Sequence, residues 1–280
     1  MSFFPEKNSE PEGREIFIRF FDTKNLDLGY YPDMKGLVPS HEERKLKIWH
    51  QGNEIYLLLD GIFYVMIERS ERRVSFAGNM NENWDQSYFH QFIMTPIFEI
   101  SLRIFGYFTA HAGANAEGGD AVLVFGNSGS GKSSNAVRLA LRGRPLLGDD
   151  TAVIDSDLFA HPFLKPLHLK KDALLELFPG EVPGTEGEKA ALPVDRVLSR
   201  DMYCSEKKRI KALYFLDGFG KSSTVTDIPA REVFKRILSY SLIPVSPPAV
   251  RSQMDIIEKL SGLPAFSAVL KKGEYLDALI

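Results

Sequence analysis

Ala121-Val-Leu-Val-Phe125 running into Gly126-Asn127-Ser128-Gly129-Ser130-Gly131-Lys132-Ser133 is the stretch that decides the fold. Five apolar residues in a row, ending at a glycine, read as a strand buried on both faces. The next eight match a glycine, four free positions and then Gly-Lys-Ser at every fixed place, the signature of a loop that wraps phosphates. Its glycines let successive backbone N–H groups point inward at phosphate oxygens, and the helix expected from Lys132 to Arg142 adds the positive end of its dipole. Lys132 then reaches the β- and γ-phosphates, the Ser133 hydroxyl is placed for Mg²⁺, and Ser134 completes the binding stretch that begins at Gly126. Average residue usage gives about one chance in a hundred of an accidental match in a chain this long, and the flanking strand and helix lower it further. The Asn-Lys-x-Asp tetrad that specifies guanine is absent, so ATP is the expected nucleotide.

Downstream, Leu146-Leu-Gly-Asp149-Asp150 is an apolar strand ending in two adjacent acids. In a parallel sheet the carboxyl ends of strands face the ligand crevice, and neighbours on a strand point opposite ways. One acid can then hold Mg²⁺ while the other takes the proton of an attacking hydroxyl. The plainer alternative is a strand end with one acid capping a turn. Ala212-Leu-Tyr-Phe-Leu-Asp217 has the same apolar-run-then-Asp form, which makes Asp217 a rival metal ligand. The rest of this half alternates strand and helix signals. It reads as a strand over 107–114, the turn Glu117-Gly-Gly-Asp120, a strand over 146–154, a Gly/Pro/Glu-rich mobile loop over 179–193 and a buried strand over 212–216. After Pro229, Val233, Phe234, Ile237, Leu238 and Leu242 fall at helical spacing.

Upstream, from Glu15 to about Gly78, the pattern has period two, in Ile16–Ile18–Phe20, Ile55–Leu57–Leu59 and Phe63–Val65–Ile67. Asp60-Gly61 between the last two runs supplies a tight hairpin turn. A polar stretch, 79–86, then separates an antiparallel β-rich cap or docking unit, 1–85, from an α/β domain over 86–280. The most apolar stretch, Phe89 to Ala112, carries Glu99 and Arg103 near its middle, which reads as a buried helix running into a strand and not as a membrane span.

The chain of 280 residues is 44% hydrophobic and 25% charged, an ordinary globular composition, with a net charge of −3 that gives no general attraction to nucleic acid or anionic membrane. Cys204 is the single cysteine, so an intramolecular disulfide is excluded, and a cytoplasmic location is expected. The polar, acidic start from Met1 to Arg14 lacks the form of a secretory signal. His161 and His168 show no acidic partner at metal-ligand spacing and read as surface or loop residues. Lys207-Lys208-Arg209 reads as a solvated basic run.

With these residues in place, the sequence resembles the HPr kinase/phosphorylase catalytic domain and its kinase relatives, whose fold is related to phosphoenolpyruvate carboxykinase. His111 lies 15 residues before Gly126, the loop has the form G-x-S-G-x-G-K-S, and Asp149 follows Lys132 by 17 residues. Pro162-Phe-Leu-Lys-Pro-Leu-His-Leu-Lys170 is similar to a P-F-x-x-P-x-x-L-K stretch of the kinase-related branch. The resemblance covers about residues 100 to 180. It implies an α/β fold of that type, Asp149 as general base, Asp150 with Ser133 on Mg²⁺, His111 near the transferred phosphoryl group and Lys170 as a substrate contact. It also implies self-association. Ser134 stands where HPr kinase carries Glu, and that enzyme's glycine-rich C-terminal segment is not found. The likeness therefore runs to relatives that phosphorylate peptides, as in lasso peptide pathways, and not to HPr as substrate.

The resulting expectation is a Mg-ATP kinase acting on a hydroxyl, with serine of a peptide or protein as acceptor. Two alternatives stay open: a kinase of a small molecule (an amino acid, a sugar or a cofactor precursor), and a non-catalytic protein that senses ATP or binds a partner.

Overall fold

Period-two patterning in the first third of the chain builds a sheet. The computed structural model describes residues 17–22, 46–51, 54–59, 63–78, 95–178, 189–192, 194–241 and 247–279. Within them β1 (Phe17–Asp22), β2 (Leu46–Gln51), β3 (Glu54–Leu59), β4 (Phe63–Glu68) and β5 (Arg73–Gly78) form a five-stranded sheet in the order β1-β5-β4-β3-β2. β2 to β5 pair antiparallel, with Leu59 opposite Phe63; Asp60-Gly61 between them lies outside the described residues. β1 departs from the antiparallel expectation and runs parallel to β5, Phe17 opposite Arg73. A parallel pair needs a long return, and the chain through β2, β3 and β4 supplies it. Ile55, Ile67 and Val74 are buried in register across three strands.

The expected boundary near residue 85 falls among residues outside those described. By its contacts the chain divides into Met1–Ser101 and Leu102–Ile280, within helix α1 (Thr95–Ile104). No helix among the described residues is long and apolar enough to cross a membrane.

The second unit is mixed α/β. It begins with β6 (Phe108–Ala110), β7 (Ala112–Glu117), β8 (Asp120–Gly126), α2 (Lys132–Leu141), β9 (Leu146–Gly148), β10 (Ala152–Ile154) and β11 (Phe159–His161). It continues with β12 (Leu167–Lys170), α3 (Lys171–Leu177), β13 (Lys189–Leu192), α4 (Val194–Val197) and β14 (Lys208–Gly220). β15 (Thr224–Asp227), α5 (Ala230–Ser239), α6 (Pro247–Ser261) and β16 (Ala265–Lys271) complete it. A nine-stranded sheet runs β6-β10-β11-β14-β8-β7-β9, with β16 on β14 and β15 on β16, and β12 pairs with β13 separately. The tight turn at Gly118-Gly119 makes β7 and β8 an antiparallel hairpin, Glu117 opposite Asp120, as its two glycines predict.

This sheet is mixed, where the sequence suggested a parallel one. β14 is parallel to both β8 and β16, while β7 is antiparallel to β8 and to β9. It follows that β8, β9, β14 and β16 all point the same way. Their carboxyl ends share one rim, which carries the glycine-rich loop that follows β8. Alternation along β8 feeds two layers. Ala121, Leu123 and Phe125 pack with Val233 and Ile237 of α5 and Ile256, Ile257 and Leu260 of α6, and Val122 and Val124 pack with Leu139 of α2. Leu123 and Leu139 are fully buried, and truncating either to Ala costs about 2–5 kcal/mol.

Two expected strands are each broken. Residues 107–114 divide at His111 into β6, which pairs with β10, and β7, which pairs with β8 and β9. Residues 146–154 divide at Asp149-Asp150 into β9 and β10, because Asp150 takes φ of 64°. A short polar residue tolerates that left-handed conformation, and a strand cannot continue through it. Of the expected loop 179–193, Lys189–Leu192 is β13, pairing with β12; the rest lies outside the described residues.

Candidate functional site

The loop after β8 closes on itself. Ser130 N donates to Asn127 O at 3.1 Å, and Asn135 N donates to Gly131 O at 2.8 Å as α2 begins. Gly129 and Gly131 sit at φ of 84° and 94°, which only glycine adopts without strain. Gly126 has no room for a Cβ, which would meet Ser130 Oγ and, at 3.0 Å, the Leu216 carbonyl of the neighbouring strand. The Asn135 amide donates to Gly131 O at 3.0 Å and accepts from Leu276 N at 2.7 Å, so a short turn near the C-terminal end braces the loop. No acidic residue occupies the first turn of α2, leaving its dipole uncancelled toward the loop.

Asn127, Ser128 and Gly129 face solvent, Ser133 and Ser134 are half-buried, and Lys132 is buried. Lys132 Nζ donates to the carbonyls of Gly126 at 2.5 Å and Asn127 at 3.3 Å, which holds the ammonium inside the loop. An enclosed ammonium and a half-buried hydroxyl at the N-terminus of a helix form a place where an anion with several oxygens can be met.

The two acids beside it have opposite surroundings. Asp149 is 2% exposed, and neither carboxylate oxygen has a hydrogen-bond partner. Burial is the main force that pushes its carboxyl up to about 6. The Ser133 hydroxyl opposes this without reaching full hydrogen-bond geometry, the charge of Asp150 adds to it, and Lys165 and the Asp150 N–H oppose it. Asp150 is half-exposed, with Oδ1 3.0 Å from His111 Nδ1 and Oδ2 3.5 Å from Lys165 Nζ. Burial would raise its carboxyl too, but the His111 contact and the charges of Lys165, His111 and Lys132 outweigh it and hold Asp150 well below the usual carboxylate range. Neighbouring acids driven apart in this way suit a proton acceptor beside a permanent anion.

His111 Nδ1 lies 3.0 Å from the Asp150 carbonyl as well, and His111 N donates to Tyr240 O, so the break between β6 and β7 fixes the imidazole against the acid. Lys165 is the residue that sequence reasoning missed. It donates to Thr151 Oγ1 at 2.7 Å, and it is brought there by Phe163, whose N–H bonds Leu147 O in a bridge beside β9. Its place between Pro162 and Pro166 in a fixed segment was the signal available. Lys170, the expected substrate contact, is exposed at the end of β12, opposite Lys189, and that pairing does not join it to the loop.

Asp217 lies where β14 passes the loop, one residue beyond Leu216, which pairs with Gly126. Its carboxylate receives Arg236 Nη1 at 2.8 and 2.9 Å and the Ser267 hydroxyl at 2.5 Å. His161, expected as a surface or loop residue, is part-buried and forms a single ion pair. It lies on β11 with Nε2 2.9 Å from Asp155 Oδ2, which also receives Lys207 Nζ at 3.2 Å. Cys204 is a free thiol.

Among the described residues no three His, Cys, Asp or Glu side chains gather as a metal cluster. A serine hydroxyl with carboxylate oxygens, two of them orphaned and buried, is nonetheless the oxygen-only donor set that Mg²⁺ takes when phosphate oxygens and water fill the remaining positions.

No protein-family model and no curated protein matches the chain. Among solved structures, the Hpr(Ser) kinase/phosphatase from Coxiella burnetii is similar over 54% of this chain and 87% of its own, at 17% identity and a TM-score of 0.24.

Proposed function

We propose that this chain is a magnesium- and ATP-dependent kinase that transfers the γ-phosphate to an aliphatic hydroxyl, with serine of a peptide or protein as acceptor. The observation that carries the proposal is Asp149: a buried carboxylate with no partner of its own, pushed up to about 6, beside the lysine and serine of a phosphate-type loop. An unpaired buried polar group costs about 1–3 kcal/mol or more, and carboxyls raised by burial concentrate at functional sites.

In this reading Asp149 takes the proton of the acceptor hydroxyl, at a basicity matched to neutral pH. Lys132 and the loop N–H groups meet the negative oxygens of the transferred group. Ser133 and Asp150 would hold Mg²⁺, which when bound supplies neutralisation of phosphate charge. His111 and Lys165 orient Asp150, and the Lys165 ammonium stands at the edge where the phosphoryl group would pass. The side chains of His111 and Asp150 are 42% and 48% exposed, and an acid edge open to solvent supports an acceptor carried on a polypeptide over an enclosed small molecule.

One observation favours a second assignment within the same activity. Ser133 acts on Asp149, whereas Asp150 is engaged by His111 and Lys165, so Asp149 could be the metal ligand and Asp150 the acid facing the acceptor. Transfer of label from γ-labelled Mg-ATP to serine-containing peptides, free serine and water tests both. Asp149→Asn is expected to bind ATP and Mg²⁺ as wild type does and to lose transfer. Loss of Mg²⁺ dependence in ATP binding by that variant assigns the metal to Asp149 instead. Wild-type protein that binds ATP and labels nothing leaves a sensing protein.

A further inference from the structure

We infer that Phe219 is the platform on which the purine ring of the bound nucleotide stacks, an inference that rests on the nucleotide reading of the loop. Phe219 is 55% exposed, the most exposed of the large apolar side chains among the described residues. Its position is built. β14 pairs with β8 only as far as Leu216 opposite Gly126, then continues past the rim while paired to β16, through a bulge between Leu216 and Gly218. Gly218 sits at φ of 111°, and Gly220 has no space for a Cβ, which would come within 2.8 Å of Val269 Cγ1. Two glycines thus permit the course of the backbone on either side of the ring. The phenyl Cζ lies 3.6 Å from where a Cβ of Gly131 would stand, against the last glycine of the loop. At the rise of a strand, three residues past Leu216 place it about 10 Å beyond the start of the loop.

The order of strands says which end of a nucleotide would meet it. β8 has β7 and then β9 on one side, and Asp149 and Asp150 follow β9. On the other side it has β14, which pairs with β11 at its start and with β16 from Leu213 to Gly220, the part that reaches the loop. If the acids mark the end of the phosphate chain where transfer occurs, the nucleoside end leaves the loop on the opposite side, over the extension of β14. An exposed ring there offers the flat apolar face on which any base stacks, and the acid side lacks one among the described residues.

Titration of wild type, Phe219→Ala and Phe219→Trp with ATP and with inorganic tripolyphosphate, each with Mg²⁺, tests this. Phe219→Ala is expected to weaken ATP about 5- to 150-fold, the range for losing one base–aromatic stack, with tripolyphosphate unchanged and Phe219→Trp restoring ATP. Equal ATP affinity in wild type and Phe219→Ala overturns the inference, as does an equal loss of both ligands, which would make Phe219 a prop for the loop. Wild type that binds tripolyphosphate but gains nothing from the nucleoside also overturns it and leaves the loop reading standing. Wild type that binds neither ligand removes the nucleotide reading and this inference with it.

Discussion

At the end of β9 Asp149 is buried with neither oxygen partnered, while beside the same loop, on β14, Asp217 is one-third exposed and gripped through both oxygens by Arg236. Both acids follow apolar runs of the kind that mark metal-binding strands, and both strands point toward the loop. What separates them is counter-charge. Asp217 has its charge answered within the fold by Arg236 and the Ser267 hydroxyl. At Asp149 burial outweighs the opposition of Ser133, Lys165 and the Asp150 N–H, and the carboxyl stays high. An Asp at the end of an apolar strand is therefore a candidate for chemistry only once the cations near it have been counted.

Transfer activity gives the largest contrast. Asp149→Asn is expected to lower the rate of phosphoryl transfer about 10²- to 10⁴-fold, the contribution of a placed general base, while Asp217→Asn stays within about threefold of wild type. Measured side by side with the same acceptor, an equal loss in the two variants would erase the distinction drawn here.

Stability should move in the opposite direction from activity. The carboxyl of Asp149 is higher in the folded chain than the 3.8 of an ordinary aspartate, so the folded state holds a proton that the unfolded chain releases. The resulting penalty is absent below about pH 4, grows as pH rises to about 6 and is constant above that. At pH 8 Asp149→Asn should be more stable than wild type by about 1–3 kcal/mol, and at pH 3.5 by almost nothing. Urea unfolding at the two pH values reads this directly, and a gain that ignores pH would assign it to packing.

The same shift sets the pH profile. Activity in kcat/KM should fall about tenfold per pH unit below about 6, as Asp149 gains its proton, and level off above. Lys165→Met removes a charge that lowers Asp149, so its inflection should lie at higher pH, whereas Asp217→Asn should leave the inflection in place.

How far the sequence could be read depends on how local the cause was. The β8 strand, the glycine-shaped loop and the α2 helix are written in thirteen consecutive residues plus a helical repeat, and the two-residue turn at Gly118-Gly119 is equally local. The break at Asp149-Asp150 is not, since it requires β10 to leave β9 and pair with β6 and β11. Lys165 reaches the acids through a pairing of Phe163 with Leu147, which no spacing announces. Arg236 finds Asp217 from a helix 19 residues on, so the two look-alike strands could not be told apart before folding. His161 and Asp155, six residues apart on a hairpin, were within reach of the sequence, because Asp155 also accepts from the amides of Asp157 and Phe159 and so announces a turn.

The smallest effect belongs to the ion pair at Asp217, and it can be recognised by salt. The side chains of Arg236 and Asp217 are 27% and 35% exposed, so their attraction is screened and is worth about 0.5–1 kcal/mol in dilute buffer. Asp217→Asn should cost about that much in urea unfolding and lose most of the effect in 1 M salt. The gain from Asp149→Asn should persist at the same salt, because a fully buried carboxylate is beyond the reach of counter-ions. If the Asp217 variant instead loses several kcal/mol that salt does not reduce, Asp217 is as desolvated as Asp149, and the two strands differ in sequence context alone.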